Sequence, residues 1–181
     1  MGWILTYTGK QFYPLSPRPE DIDIEDIAHA LSMSCRFTGH TKRFYSVAEH
    51  CAVMAYNVVN DLNTTKVETL AVLLHDASEA YLSDIARPVK PLLTNYMAVE
   101  ARLTDIINRR FGIHGAAHEM REIIKVADIR MLATEKEQLM PSTDVPWPSI
   151  DGVKPFYGGL PCWAPSKAKA EFMAAFNKLT A

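Results

Sequence analysis

The sequence predicts an all-α domain with one small β-hairpin at its N-terminal end and, after a proline-rich loop, a closing helix. Three observations carry that expectation. Apolar residues recur at helical spacing in successive segments between Ile24 and Leu139, and again at Phe172, Phe176 and Leu179. Paired short segments joined around a glycine occur near the N-terminus, where Ile4 to Thr8 and Gln11 to Leu15 flank Gly9. Six prolines (Pro141, Pro146, Pro148, Pro155, Pro161 and Pro165) rule out a long regular helix in the stretch that holds them. With 181 residues, 48% of them hydrophobic, the chain can bury a core of its own as a single domain.

Within that domain, residues 1–20 form the hairpin and a proline-rich link, 21–140 the helical core, 141–165 a loop or lid, and 166–181 the closing helix. Met1-Gly2 with Thr6 matches the N-myristoylation pattern literally, but the hairpin is the stronger reading of this stretch. The first core helix follows Asp21 or Asp23 as cap and turns Ile24, Ile27, Ala28 and Leu31 inward, leaving His29 outside. A basic turn at Gly39 to Arg43 leads to the second helix, SVAEHCAVMAYNVVNDL, where Ser46 and Glu49 fit a capping box. After a loop at Asn60 to Thr65, one helix is expected over Val67 to Leu82. Ser83-Asp84 and the Arg87-Pro88 pair stop it. Met97 to Phe111 reads as an amphipathic helix closed by Gly112, and Glu119 to Leu139 as a long one.

The bulk numbers exclude several function classes. A net charge of -2 is too balanced for a nucleic-acid coat, and no apolar run approaches the ~18 residues of a membrane span. No secretory segment opens the sequence. Three cysteines without a CxxC spacing (Cys35, Cys51 and Cys162) read as free thiols in a reducing compartment, so the expected location is cytoplasmic. Cys51 adjoins His50, but neighbours on a helix diverge by about 100°, so it reads as a small core residue.

The chemistry concentrates at residues 70–90. On a helix, His75, Asp76 and Glu79 share one face behind the apolar run Leu70, Val72, Leu73 and Leu74. Charges buried there need partners or a metal. Arg87 and Lys90 follow in a basic loop, which suggests a phosphate. His50 sits mid-helix among Val47, Ala48 and Val53, and Asp128 among Val126, Ala127 and Ile129. Singly, each reads as a satisfied core histidine or a solvated aspartate. Together, His50, His75, Asp76 and Asp128 supply two nitrogens and two oxygens, leaving coordination positions open for water and substrate.

These residues resemble a known family. AEH at 48–50, HDASE at 75–79 and KVAD at 125–128 are similar to the ordered H…HD…D signature of HD-domain phosphohydrolases, which are helical bundles. HDASE followed by Asp84 and PVK at 88–90 resembles the bacterial 5′-deoxynucleotidases. LSMSCRFTGHTKRFYSVAEH at 31–50 resembles a phage and prophage branch that includes dATP triphosphohydrolases. The resemblance covers residues 3 to 140. It implies His50, His75, Asp76 and Asp128 as ligands of one divalent transition metal (zinc, cobalt or manganese, with magnesium also open). It implies Glu79 as the residue that orients or deprotonates the attacking water. Arg36-Phe37 falls near the family's Arg-Trp pair, which contacts phosphate and base, with Phe in place of Trp. Asp84 matches the carboxylate near the sugar, where it would accept the 3′-hydroxyl proton.

The chemistry agrees. A divalent metal pulls the pKa of bound water from about 15.7 towards ~7, and Arg36, Lys90 and Lys125 would neutralise the phosphate oxygens. Lys125 shares a helix face with Asp128 three residues on, yet reads equally as a surface lysine. Lys42, Arg43 and Arg87 are weaker phosphate candidates. Tyr45, Tyr81 and Tyr157 fit either a base or the core. His40, His114 and His118 would serve a second metal, but the latter two flank Gly115 in a polar connector, so one metal is read.

The expected function is hydrolysis of the 5′ phosphate ester of a deoxynucleotide, whether a mono- or a triphosphate. Hydrolysis of a cyclic or alarmone nucleotide, or a sensor without turnover, are the alternatives, and Glu79 argues against the sensor. The expected partners are a small-molecule deoxynucleotide and further copies of the chain, with no nucleic acid and no membrane.

Overall fold

The apolar periodicity becomes eight α-helices among the described residues, 2–181, of the computed structural model. Met1, and with it the lipidation pattern, lies outside them. Strands β1 (Ile4–Leu5) and β2 (Gln11–Phe12) pair antiparallel, Ile4 opposite Phe12, with Gly9 at φ 82° in the turn. The strands are shorter than the sequence suggests. The chain instead anchors through Phe12, which is buried and stacked on Tyr81 with ring centroids 4.1 Å apart.

Helices α1 (Ile24–Met33), α2 (Val47–Leu62) and α3 (Lys66–Leu73) follow, then a short α4 (Glu79–Leu82), α5 (Thr94–Arg110), α6 (His114–Glu119), α7 (Arg121–Leu139) and α8 (Pro165–Thr180). Helix α2 is the centre of the bundle. Val47, Ala48, Cys51, Met54 and Val58 are all buried along it, while α8 packs across α1, α2 and α3. Fully buried side chains such as Leu73, Leu103, Ile107 and Phe172 each contribute about 1.5–3 kcal/mol to holding these layers together. No helix among the described residues is long and apolar enough to cross a membrane.

The caps follow local chemistry. Asp23 accepts the Glu25 N–H at the start of α1, and Gly112 takes φ 68° just after α5. Ser46 caps α2 by accepting the Glu49 N–H at 3.1 Å, but the expected capping box is only half formed. The Glu49 carboxylate turns away and accepts the N–H groups of Cys162 and Trp163 at 2.6 and 2.7 Å. It thereby ties the C-terminal loop to α2. The full box is at α3, between Thr65 and Glu68.

Two further expectations change. The single helix over Val67 to Leu82 is broken: α3 ends at Leu73, residues 74–78 form tightened turns, and α4 begins at Glu79. Bonds such as Ala77 N–H to Leu74 O and Glu79 N–H to Asp76 O, each i to i−3, replace the α-helical pattern there. The long helix expected from Glu119 starts at Arg121, and the connector holding His114 and His118 is itself helical as α6. His29 is half-buried rather than outside, stacked on Tyr7 at 3.8 Å. Residues 141–164 run irregularly, with one 3-10 turn at Pro148–Ile150.

Candidate metal centre

The break after α3 is what assembles the site. On a continuous α-helix, adjacent side chains diverge by about 100°, whereas in this turn His75 Nε2 lies 3.1 Å from Asp76 Oδ2. The common helix face expected for His75, Asp76 and Glu79 is therefore replaced by a turn that gathers them. Helix α2 brings His50 opposite, with Nε2 3.8 Å from Asp76 Oδ2 and 3.5 Å from Asp128 Oδ1 on α7.

Each imidazole is oriented from behind. His50 Nδ1 donates to Glu135 Oε1 at 2.7 Å, and His75 Nδ1 donates to the Val72 carbonyl at 2.8 Å. Those bonds fix the tautomer, so that each ring in its neutral form carries the lone pair on Nε2. Both Nε2 atoms are buried and have no hydrogen-bond partner. Polar atoms so buried are ordinarily paired. Donor atoms of His50, His75 and Asp76 lie within 4.8 Å of one another. Ligands sharing one ion at ~2.1 Å stand roughly 3–4 Å apart, so the donor set fits a divalent cation. Asp128 stands at the edge of this group, because its Oδ2 also accepts a hydrogen bond from Arg87 Nη2 at 2.6 Å.

The local electrostatics favour a cation. Burial disfavours ionisation of Asp76, but His75, His50 and Arg36 outweigh it and hold the carboxyl well below the usual range. Burial opposes protonation of His75 as well, yet the Asp76 carboxylate beside it raises its pKa well above the ordinary value. Glu79 is pushed up to about 9 by burial, then by Asp76 and Asp84. Asp84 is raised by burial and by Asp76. Acidic groups crowded in this way are relieved by positive charge.

Above the donors opens a cavity of about 760 Å³, lined by Asp76, Glu79, Asp84 and Asp128 with Arg36, Phe37 and Lys90. Arg36 is buried against the carboxylates: Nη2 donates to Glu135 Oε2 at 3.2 Å, and Nη1 lies 3.6 Å from Asp76 Oδ2. Lys90 lines the cavity but pairs with Glu100 at 2.8 Å. Lys125 is not brought in. It is exposed, 4.0 Å from Glu122, because the three-residue spacing from Asp128 does not carry its side chain over the rim. Arg87, weak on sequence grounds, lines the cavity with its side chain about half exposed. His114 and His118 stay apart from the centre, bonded to Asp105 and Arg121. His40 reaches only the cavity wall.

Two residues of the site, Glu135 and Trp147, are not among those expected from the sequence. Glu135 is buried and salt-bridged to both His50 and Arg36. Its signal was available, since it lies seven residues after Asp128 and so on the same face of α7. Trp147 lines the cavity from the proline-rich loop, where no periodicity points to it.

No protein-family model matches the chain. The chain is 36% identical to the uncharacterized protein RCAP_rcc00048 of Rhodobacter capsulatus, over 76% of this chain and 73% of that one. It is also 36% identical to the uncharacterized protein YfdR of Escherichia coli strain K12, over 182 aligned residues that cover 99% of this chain and 97% of YfdR. At that identity over nearly all of both chains, the protein belongs to the same family as YfdR.

Proposed function

We propose that the protein is a metal-dependent phosphohydrolase of the HD-domain kind, releasing a deoxynucleoside from its 5′ mono- or triphosphate. The observation that carries this reading is the convergence of two buried, unpartnered imidazole nitrogens on Asp76, with Asp128 beside them. The ordered AEH, HDASE and KVAD motifs supply the same residues in the same order.

His50, His75, Asp76 and Asp128 would hold one divalent cation. When bound, such an ion acidifies water and polarises a phosphoryl oxygen. Glu79 lines the cavity with a buried Oε2 that lacks a partner; with the charge of a bound cation offsetting the burial and the crowding by Asp76 and Asp84 that raise its pKa, its carboxylate would take the proton of the attacking water. As the water oxygen bonds to the α-phosphorus, the bond to the 5′ oxygen breaks, and that oxygen takes up the proton held by Glu79 to leave as the nucleoside hydroxyl, which returns Glu79 to its carboxylate form. Arg36 balances the carboxylates behind the donors, and Lys90 and Arg87 supply positive charge at the cavity wall. Asp84, also in the wall, would accept a hydrogen bond from the sugar 3′-hydroxyl.

The test is a product assay over deoxynucleoside mono- and triphosphates with zinc, cobalt, manganese and magnesium. The reading expects release of phosphate or triphosphate that needs a divalent ion and stops with a chelator. Absence of release with every ion, or release insensitive to the chelator, overturns it.

A further inference from the structure

We infer that Trp147 and Phe37 together form an aromatic wall that holds the nucleobase of the substrate by stacking, favouring purines. This rests on the nucleotide reading above. The cavity lining combines carboxylates and cations (Asp76, Glu79, Asp84, Asp128, Arg36 and Lys90) with the aromatic side chains Phe37 and Trp147. A nucleotide needs both kinds of contact, for its anionic phosphate and for its flat aromatic base.

The two rings come from segments 110 residues apart and meet at the cavity, centroids 6.3 Å apart and planes inclined by 47°. Neither is held there by the core, since both are only half-buried. Phe37 instead adopts φ 55° and ψ 30°, followed by Thr38 at φ 53°. A bulky residue in the left-handed region is strained, and such strain clusters at ligand sites. Trp147 is fixed from both sides by Pro146 and Pro148, which restrict its loop before any ligand arrives. Lys136 Nζ lies 5.8 Å from the indole centroid and steadies the ring.

Aromatic stacking accepts any base, because every base has a π-face, and it strengthens with contact area. The wall would therefore bind purines more tightly than pyrimidines without reading their edges.

The experiment compares wild type with Trp147→Ala and Trp147→Phe on dAMP, dCMP and the base-free 2-deoxyribose 5-phosphate, or their triphosphate counterparts. Trp147→Ala is expected to raise KM for the purine nucleotide about tenfold or more, and for the pyrimidine less. The base-free substrate should be unaffected, and Trp147→Phe should recover most of the loss. Equal losses on all three substrates would reduce Trp147 to a support for the loop and overturn the inference. If wild type cleaves none of them, the phosphohydrolase reading fails by itself. Equilibrium dialysis of dAMP then decides the wall separately: weaker binding to Trp147→Ala upholds it, and equal binding to both proteins overturns it.

Discussion

Two cavities of nearly equal size share helix α7, one of about 760 Å³ over the candidate metal donors and one of about 720 Å³ beside it. The second is walled by Ala55, Val59, Met131, Phe156, Leu160 and Leu179, and its Thr134 hydroxyl is satisfied by Arg130 and Phe156 backbone. The first is lined by ionisable groups, of which Arg36 and Glu79 each bury an atom without a hydrogen-bond partner, and it lies over His50 and His75. Of the five buried side-chain polar atoms without a hydrogen bond among the described residues, four belong to Arg36, His50, His75 and Glu79. The fifth is the Tyr45 hydroxyl, which lies under the influence of Glu135 and Arg36. None of these residues lines the apolar cavity. Volume therefore does not mark the site; unsatisfied charge does, because folding keeps such atoms only where something else satisfies them.

The sharpest way to break this contrast is to remove a donor. His75→Ala and Asp76→Ala are expected to lose bound metal and phosphate release together, both to background. Full metal occupancy in purified His75→Ala protein would move the metal elsewhere. Glu79→Gln should leave the metal in place while turnover falls by about 10²- to 10⁴-fold, the usual worth of a positioned acid or base. Metal lost along with turnover would make Glu79 a ligand, and unchanged turnover would take it out of the reaction.

What could be read in the sequence was whatever depends on local chemistry or on strong motifs. Ser46 and Asp23 cap their helices as their residue types require, and Gly112 turns the chain after α5. The break over 74–78 was illegible because the apolar run Leu70 to Leu74 continues straight into it, and periodicity alone cannot register a switch to i to i−3 bonding. Glu49 could not be separated from a capping residue, because its true partners, the Cys162 and Trp163 amides, lie more than a hundred residues away. Lys125 shows the opposite failure. Correct spacing from Asp128 gives a shared side of α7, but cavity access depends on which elements pack there, and the lysine remains in solvent.

Glu135 offers a finer test of how the charged cavity is built. Glu135→Gln keeps the shape while weakening its hold on the His50 ring, so metal affinity should fall by about 10- to 100-fold in a competition titration. Unchanged affinity would show that His50 needs no carboxylate behind it. The smallest effect on the site is expected from the apolar side. Met131→Ala enlarges that cavity and should cost about 2–5 kcal/mol in denaturant unfolding. Metal content and turnover per folded molecule should stay as in wild type. A loss of metal in this variant would mean that the two cavities are not independent.

His50, His75 and Asp76, with Asp128, are expected to hold one metal ion. Anomalous diffraction at the metal edge, from crystals grown with zinc or manganese, tests it most directly. One strong peak is expected within about 2.0–2.2 Å of both Nε2 atoms and of an Asp76 oxygen. A map with no peak there, or with its strongest peak at His114 and His118 while both Nε2 atoms stay unliganded, would contradict it.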